Sequence, residues 1–348
     1  MACEYDTFPP DELAIVSSHY DLGVISSIHE FRAGSTQSPK LIISCERGTY
    51  LLKRRAKGKD DPYKVAFTHG VQNYLADQDF PVPRLIGTRY ENNSMLQLED
   101  RVYEMFEYVR GVRYDGSPGK TLSAGTALAT YHDLMAGYQS EWEPPQGSFH
   151  DANGVRAGLH SLSSTLAGHE SAAGQEAEVL GLVQRLLDAY DEAADGVNRT
   201  DFGQWPTIIT HCDWHPGNML FQEGKVVAVL DFDAAKLSPR VTDIANGTLQ
   251  FSIVAGSDNL EDWPDHFDES RVKRFLLGYE QLTPISPEEL QVVPALMIEA
   301  LISEAVLPIA ATGSFGRMQG FGFLKMVARK VQWLRDNGER ITAVSQPR

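Results

Sequence analysis

The stretch "THCDWHPGNMLFQEGKVVAVLDFD" (residues 210–233) constrains the fold more than any other part of the chain. Its segments "MLF" and "VVAVL" have the apolar character of strands, and the short connection "QEGK" between them places Gly224 at a turn. Positions that are equally far from the turn of a hairpin face each other. We therefore expect Asn218 and Asp231 to lie close together.

The residue types at these positions suit one kind of chemistry. An amide oxygen and a carboxylate form a site for Mg²⁺, a hard cation that also takes phosphate oxygens. Asp213 precedes Asn218 on a loop that Pro216 stiffens, and a carboxylate there can accept a proton from a hydroxyl group. His211, Asp213 and Asn218 also have the H-x-D-x-x-x-x-N spacing of a kinase catalytic loop. The sequence thus predicts phosphoryl transfer.

The pattern of apolar residues changes along the chain. Short β-branched or aromatic runs at 24–31, 40–47, 49–55 and 102–111 predict strands, and residues 62–78 between them predict a helix. Apolar residues recur at helical spacing in 121–135, 176–194, 270–282 and 323–337. We therefore expect a two-lobed α+β fold, with a small β-rich lobe at 1–110 and a larger helical lobe at 111–348.

Composition argues against several classes of partner. A formal net charge of −16 does not suit a general nucleic-acid binder, which needs clustered Lys and Arg. The apolar run at 295–311 contains Glu299 and Glu304 and predicts a buried helix rather than a membrane span. The first residues lack the pattern of an export signal, and Cys3, Cys45 and Cys212 are scattered. We expect a cytoplasmic protein with no nucleic-acid or membrane partner.

Three motifs in order, "HCDWHPGN", "LDFD" and "TDIA", resemble those of the aminoglycoside phosphotransferase and choline kinase superfamily of small-molecule kinases. The order of a strand-rich lobe and then a helical lobe is also similar. This resemblance implies a protein-kinase-like fold, ATP and Mg²⁺ as cofactors, and transfer of the γ-phosphate to a hydroxyl group. The acceptor would be an amino alcohol such as homoserine or choline, a sugar, or an aminoglycoside.

The resemblance also implies roles for residues of the second half of the chain. Asp213 would be the catalytic base, and His211 would brace its loop. Asn218 and Asp231 would be metal ligands, assisted by Asp233. Asp243, in "TDIA", would anchor the catalytic loop from the next helix, although an aspartate beside Thr242 could equally be a simple helix cap.

Further roles concern the nucleotide. Lys53 matches the strand lysine that contacts the ATP phosphates, and Leu51, on the same face of the strand, would cover the adenine. The backbone of Glu107 to Val109 would hydrogen-bond the adenine edge. Ser35 and Thr36, in the turn "RAGSTQSPK", would contact the phosphates.

One departure from the kinase pattern leaves an alternative open. The strand lysine of a kinase normally pairs with a glutamate on the following helix, yet no glutamate occurs between Glu46 and Glu91. His69 or Gln72 could take its place. A degenerate kinase-like protein that only binds nucleotide is therefore an alternative to an active kinase.

A different class of enzyme also fits part of the motif. His211, Asp213 and His215 could be the ligands of a metallohydrolase, although His215 is more simply read as a structural residue. The acceptor is not specified by any motif. The acidic helical lobe, with Glu299 and Glu304, favours a substrate that carries an amine. Trp142, Trp214 and Trp263 could stack on a sugar or enclose a cation, but are more simply core residues.

Overall fold

The computed structural model describes residues 6–32, 34, 36–167, 174–257 and 259–344. Within these ranges the helices and strands follow one another as α1 (Pro10–Ser18), β1 (Ile25–Glu30), β2 (Lys40–Cys45), β3 (Gly48–Arg54), α2 (Pro62–Asp77), β4 (Leu96–Leu98), β5 (Arg101–Glu107), α3 (Pro118–Ala136), α4 (Asn153–Ala167), α5 (Glu176–Asn198), β6 (Thr207–Thr210), β7 (Met219–Gln222), β8 (Lys225–Val229), β9 (Lys236–Pro239), α6 (Val241–Ser252), α7 (Glu269–Glu280), α8 (Pro287–Thr312), β10 (Ser314–Phe315), β11 (Met318–Gln319) and α9 (Gly320–Val344).

The chain divides into two compact units. The first comprises residues 1–113, 137–144 and 218–233, and the second comprises 114–136, 145–217 and 234–348. The first unit holds the large sheet, and the second is mainly helical. The α+β fold expected from the sequence is therefore confirmed. Residues 218–233, which the sequence analysis assigned to the helical lobe, group with the first unit.

The sheet of the first unit has the order β1-β2-β3-β5-β4, and each pair of neighbouring strands is antiparallel. One of its faces packs on α1, where Leu52 and Met105 join Val16 and Tyr20 in a buried core. Leu51 and Lys53 alternate with Leu52 and so lie on the opposite face, as the sequence predicts.

Helix α2 begins where its sequence predicts. Pro62 is its first residue, and the side chain of Asp61 accepts a hydrogen bond from the backbone N–H of Tyr63. This is an N-cap followed by a proline that needs no hydrogen-bond acceptor. The helix therefore occupies the predicted segment between β3 and β4.

The hairpin β7–β8 turns at Glu223 and Gly224, whose φ angles of 51° and 80° are both positive. Two such residues form the turn type that matches the twist of paired strands. The backbone of Phe221 exchanges hydrogen bonds of 2.8 and 2.9 Å with Val112. A Cβ atom at Gly111 would lie 2.8 Å from Cβ of Leu220, so only glycine allows this approach. The hairpin is thereby fastened to the segment that follows β5.

In the second unit, α3 and α7 approach each other at two glycines. A Cβ atom at Gly125 would lie 2.0 Å from the carbonyl oxygen of Phe275, and one at Gly278 would lie 2.0 Å from the carbonyl oxygen of Leu122. No larger residue fits at either position without moving a helix. The two backbones therefore pack directly on each other.

Helix α8 contains the apolar run noted in the sequence. Ser286 and Glu289 form a capping box at its start, and Gly313, with a φ of 76°, ends it in the left-handed conformation. Its length and composition would suit a membrane span, but 78% of its most apolar window is buried inside the protein. The prediction of a buried core helix is confirmed.

Candidate active site

The loop after β6 is fixed by Asp243 of α6. The carboxylate of Asp243 is fully buried, and its two oxygens accept hydrogen bonds from the backbone N–H groups of His211 (2.7 Å) and Cys212 (2.8 Å). A charged acceptor strengthens both bonds. The expected anchoring role of Asp243 is confirmed, and a simple helix cap is excluded.

A buried histidine also contacts the carboxylate of Asp243. Nε2 of the buried His132, on α3, lies 3.2 Å from Oδ2 of Asp243, and Nδ1 of the same ring lies 2.8 Å from the hydroxyl group of Tyr279 on α7. Burial lowers the pKa of His132, although Asp243 opposes this effect. The neutral imidazole of His132 therefore connects α3 with α6 and α7 next to the residue that anchors the loop.

The loop contains a residue with an uncommon backbone conformation. Cys212 has a φ of +61°, which is uncommon for a residue with a side chain. His211 and Trp214, on either side, are fully buried, and their rings meet at 88° with centroids 5.4 Å apart. Nδ1 of His211 accepts a hydrogen bond of 3.3 Å from the backbone N–H of Asp213. The ring of His211 is thus hydrogen-bonded to the backbone of its own loop.

Asp213 lies on the same loop, and 40% of its side chain is exposed to solvent. Its Oδ1 lies 3.5 Å from Nε2 of His215. The other ring nitrogen of His215 accepts a hydrogen bond of 2.9 Å from the backbone N–H of Gly217, which places a ring proton on the nitrogen that faces Asp213. His215, read from the sequence as structural, is therefore the neighbour of the candidate base.

Cys212 is not suited to nucleophilic chemistry. Burial and the nearby carboxylate of Asp243 raise the pKa of its thiol to about 12. The thiol therefore stays protonated near neutral pH.

The open end of the hairpin carries the two expected metal ligands. Met219 pairs with Val229, and the backbone N–H of Leu230 donates a hydrogen bond of 2.9 Å to the carbonyl of Asn218. Asn218 and Asp231 therefore lie at the open end of the hairpin. Asp231 has a φ of +61°, a strained conformation of the kind that clusters at functional sites.

This pair of side chains fits a magnesium ion. One amide oxygen and one carboxylate are hard oxygen donors, and Mg²⁺ is usually held by one or two protein groups while substrate phosphates and waters complete its shell. Among the described residues, no group of three His, Cys, Asp or Glu side chains is placed to hold a metal ion. The His211, Asp213 and His215 arrangement expected of a metallohydrolase is also not formed, because His211 is buried in the loop.

Lys53 pairs with a glutamate that the sequence analysis did not assign. Lys53 and Glu104 are direct partners across β3 and β5, and Nζ lies 3.3 Å from Oε2. The Glu104 side chain is fully buried. Helix α2 holds no glutamate, as its sequence shows, but neither His69 nor Gln72 takes the place of one as the partner of Lys53, because the carboxylate comes from the neighbouring strand.

His69 of α2 supports this glutamate rather than replacing it. Its Nε2 lies 2.7 Å from Oε1 of Glu104, and its Nδ1 lies 2.8 Å from the hydroxyl group of Ser94. Burial alone would raise the pKa of Glu104, but Lys53, His69 and Arg55 outweigh it and hold the pKa well below its usual range. Glu104 is therefore ionised at neutral pH.

Arg55 joins Glu104 to the second aspartate of "LDFD". Its Nη2 donates to Glu104 (2.7 Å) and to Asp233 (2.9 Å), and its Nη1 donates to the other oxygen of Asp233 (3.1 Å). Burial opposes the charge of the guanidinium, yet the two carboxylates raise the pKa of Arg55 above its usual value. Both oxygens of Asp233 are thus engaged by Arg55, and the role of Asp233 at a metal stays a prediction.

The other residues expected to bind the nucleotide, where the structure describes them, lie on or beside the sheet. Lys40 on β2 lies within electrostatic reach of Lys53 and Asp231, and burial together with Lys53 lowers its pKa. The backbone N–H groups of Glu107 and Tyr108 are bound to Arg84 and Thr49 within the first unit. The carbonyl of Thr36 accepts from the backbone N–H of Asp6 (3.1 Å), and Ser35 lies outside the described residues.

Glu104 and Arg55 were the functional residues that the sequence analysis missed. Both "TYLLKRR" and "VYEMFEYVRG" were predicted as strands, but they were not paired with each other. Arg55 has the same parity as Lys53, so alternation along the strand was the signal that could have found it.

Comparison with known proteins agrees with this geometry. Residues 27–290 match the phosphotransferase enzyme family APH. The chain is 25% identical over 315 residues to a homoserine kinase of Caulobacter vibrioides, which covers 89% of this chain and 90% of that protein.

Two solved structures share the fold. One is a microcompartment-associated aminopropanol kinase (TM-score 0.69, 13% identity, covering 95% of this chain and 98% of that one). The other is an amicoumacin kinase in complex with AMP-PNP and Ca²⁺ (TM-score 0.67, 14% identity, 94% of each chain). The chain therefore belongs to the phosphotransferase enzyme family APH, and it is a kinase that phosphorylates a hydroxyl group of a small molecule.

Proposed function

We propose that this kinase uses ATP and Mg²⁺ to phosphorylate the side-chain hydroxyl group of homoserine. The acceptor is proposed from the relatives, since the homoserine kinase of Caulobacter vibrioides matches over nine tenths of its own length. A second homoserine kinase, from Gluconobacter oxydans, is 26% identical and covers 86% of each chain. We place the reaction in the cytoplasm, where ATP is available.

The observation that carries the ATP assignment is the cluster in the first unit. Lys53 is paired with the buried Glu104, and Lys40 lies within electrostatic reach of both Lys53 and Asp231. Lysine ammonium groups in a cluster with a carboxylate suited to a divalent cation are a charge pattern that suits a metal-bound triphosphate. An AMP-PNP-bound structure of the same fold supports a nucleotide as the donor.

The other candidate residues of the first unit also have proposed roles in nucleotide binding. Leu51, on the face of β3 that bears Lys53, covers the adenine. Glu107 and Val109 bind the adenine edge through their backbone, and the backbone N–H of Val109 meets no acceptor among the described residues. Thr36 would contact the phosphates.

Asn218 and Asp231 would hold the metal ion. When bound, the ion would offset the negative charge of the triphosphate. Arg55 orients Asp233, which would assist from the same turn. Arg55 also binds Glu104, the ion-pair partner of Lys53, and so connects Asp233 with the carboxylate that holds the lysine.

Asp213 would act as the base. It accepts the proton of the acceptor hydroxyl, the hydroxyl oxygen forms a bond to the γ-phosphorus, and the bond from that phosphorus to the bridging oxygen of ADP breaks. His211 keeps the loop in place through its hydrogen bond to the backbone of Asp213. His215 steadies the carboxylate from 3.5 Å.

The test is a ³¹P nuclear magnetic resonance assay with ATP, Mg²⁺ and L-homoserine. We expect an O-phosphohomoserine signal from the wild-type protein, and its loss, by roughly 10³-fold or more, in Asp213→Asn with nucleotide binding retained. Asp201→Asn, an exposed aspartate of the same unit, is the matched control and should keep full activity. Product formation by Asp213→Asn at the wild-type rate would exclude Asp213 as the base, and absence of product in the wild type would exclude homoserine.

A further inference from the structure

A pocket of about 400 Å³ lies within the second unit beside the catalytic loop. Its wall includes Pro216 of that loop, Tyr114 and Gly116 ahead of α3, Gln250 near the end of α6, and Arg271 in the first turn of α7. These residues are far apart in sequence, and the fold alone brings them together. The pocket is therefore next to the segment that carries Asp213, and it is large enough for a small metabolite.

Arg271 is the cation of this pocket. Its Nε lies 3.2 Å from Asp268, and its Nη1 donates to the carbonyl of Ile253 (3.3 Å). These two contacts fix the plane of the guanidinium. Its Nη2 meets no acceptor among the residues that the structure describes. The guanidinium thus has a fixed orientation, and the N–H groups of Nη2 can donate hydrogen bonds to an anion.

Gly116 makes room for this guanidinium. Its φ is +78°, and a Cβ atom there would lie 2.4 Å from Nη2 of Arg271. The neighbouring acid does not neutralise the arginine, because the carboxylate of Asp115 is bound by Lys120 (2.8 Å) and by the backbone N–H of Ser117 (3.0 Å). Arg271, whose ion pair is with Asp268, therefore keeps its Nη2 donors for a ligand on this wall.

Glu304 of α8 is not itself part of the pocket wall, but it is hydrogen-bonded to a residue that is. Gln250, which lines the pocket, donates to Oε2 of Glu304, and Asn246 donates to Oε1 (2.6 Å). Asp213 and His215 lie within electrostatic reach of the same carboxylate. Burial and the charge of Asp213 raise the pKa of Glu304 to about 7, so a bound cation would restore its charged form.

The other acid expected to favour an amine has a different partner. Glu299, also on α8, is fully buried and lies 2.9 Å from Nδ1 of His150. It also accepts a hydrogen bond from the backbone N–H of Asp151 (2.9 Å). Glu299 therefore holds the segment ahead of α4 against α8, whereas Glu304 lies within electrostatic reach of Asp213 and His215.

We propose that this pocket binds the amino-acid end of the acceptor, with Arg271 receiving its carboxylate and Glu304 its ammonium group. The proposal rests on the proposed function and specifies the acceptor class as a hydroxylated α-amino acid. An amino alcohol without a carboxylate offers Arg271 no anion, and a hydroxy acid without an amine offers Glu304 no cation. Arg271 and Glu304 are thus the residues that determine specificity.

Three acceptors test each charge separately: L-homoserine, 3-aminopropan-1-ol, which lacks the carboxylate, and 4-hydroxybutanoate, which lacks the ammonium group. We expect the wild type to prefer homoserine in kcat/KM by about 10- to 100-fold over either analogue, the range for one charge-assisted bond. Arg271→Gln should abolish the preference over 3-aminopropan-1-ol only. Glu304→Gln should abolish the preference over 4-hydroxybutanoate only.

The controls separate specificity from folding. Arg274→Gln, on the exposed side of α7, should leave all three values unchanged. Arg271→Lys keeps the charge without the planar fork and should retain part of the preference. Thermal melting of each variant reports folding, and a purely structural effect would lower the three kcat/KM values by one common factor.

The outcomes distinguish this inference from the proposed function. Equal use of homoserine and 3-aminopropan-1-ol by the wild type, or a common loss for all acceptors in Arg271→Gln, would overturn the role of Arg271 while leaving the kinase reaction intact. Failure of the wild type to phosphorylate any of the three would overturn both.

Discussion

Lys53 and Glu104 face each other across adjacent antiparallel strands, and their charged atoms are 3.3 Å apart. Because strand register fixes this pair, its geometry does not depend on the position of a helix. His69 and Arg55 complete the set of partners around the same carboxylate. Lys53 is therefore held by the sheet itself.

Replacing Glu104 by Gln should weaken both stability and ATP use. It leaves the buried Arg55 with one carboxylate fewer and Lys53 with no ion-pair partner in the cluster, so we expect a loss of about 3 kcal/mol in the free energy of unfolding. The KM for ATP should rise by about tenfold or more. Urea denaturation and initial-rate kinetics measure the two effects. Glu143→Gln, an exposed glutamate of the same unit, should change neither, and a Glu104→Gln protein with wild-type KM would contradict the prediction.

Arg55 and Arg54 offer a matched pair of neighbours on opposite faces. Arg55 binds Glu104 and Asp233, whereas Arg54 binds Glu12 and Asp6. Both are buried, so Arg→Lys at either position should lower stability by roughly 1 to 3 kcal/mol. Only Arg55→Lys should also raise the KM for ATP, measured at saturating acceptor. An equal rise in both variants would mean that Arg55 acts through folding alone.

Asp243→Asn should lower kcat and leave the KM for ATP largely unchanged. An amide cannot accept from two backbone N–H groups with the strength of a carboxylate, and its NH₂ group would face one of them. The loop that carries Asp213 would then lose its fixed position, at a cost of about 10- to 100-fold in kcat. Steady-state kinetics with both substrates test this. A selective rise in the KM for ATP would instead place the effect at the nucleotide.

The stability of the protein should depend on Glu304 between about pH 4.5 and 7. Its pKa is raised from 4.5 to about 7 in the folded state, mainly by burial and also by Asp213, while Asn246, Gln250 and His215 oppose the shift. The protonated form is thus favoured in the folded state. Its contribution is fully present below pH 4.5 and is lost as the pH rises through 7.

We therefore expect Glu304→Gln to melt at a higher temperature than the wild type above pH 7, with the difference shrinking toward pH 4.5. Differential scanning calorimetry across this range measures it. A difference that does not change with pH would show that Glu304 does not titrate there.

The catalytic segment could be predicted from sequence because its parts are local. The hairpin β7–β8 and the pairing of residues near Asn218 and Asp231 follow from the "QEGK" turn and strand alternation. Glu104 could not be assigned in the same way. Its partner Lys53 lies far back in the sequence, and the order β3-β5 of the sheet is a tertiary property.

The acceptor pocket was beyond sequence reasoning for a related reason. Gly116, Gln250 and Arg271 belong to three separate elements, and none of them stands in a recognisable motif. The acidic character of the helical part did indicate an amine, but Glu299 and Glu304 are alike in sequence. Only their different partners, His150 for one and Asn246 for the other, separate them.

The close approach of α3 and α7 has a consequence for how this enzyme can diversify. Gly125 and Gly278 each press against a backbone carbonyl of the other helix, so neither helix can slide or rotate without a steric clash. Arg271 at the start of α7 and Gly116 ahead of α3 are positioned by this same contact. New acceptor preferences can therefore arise through exchange of pocket side chains, whereas any enlargement of these two glycines would shift every wall of the pocket at once.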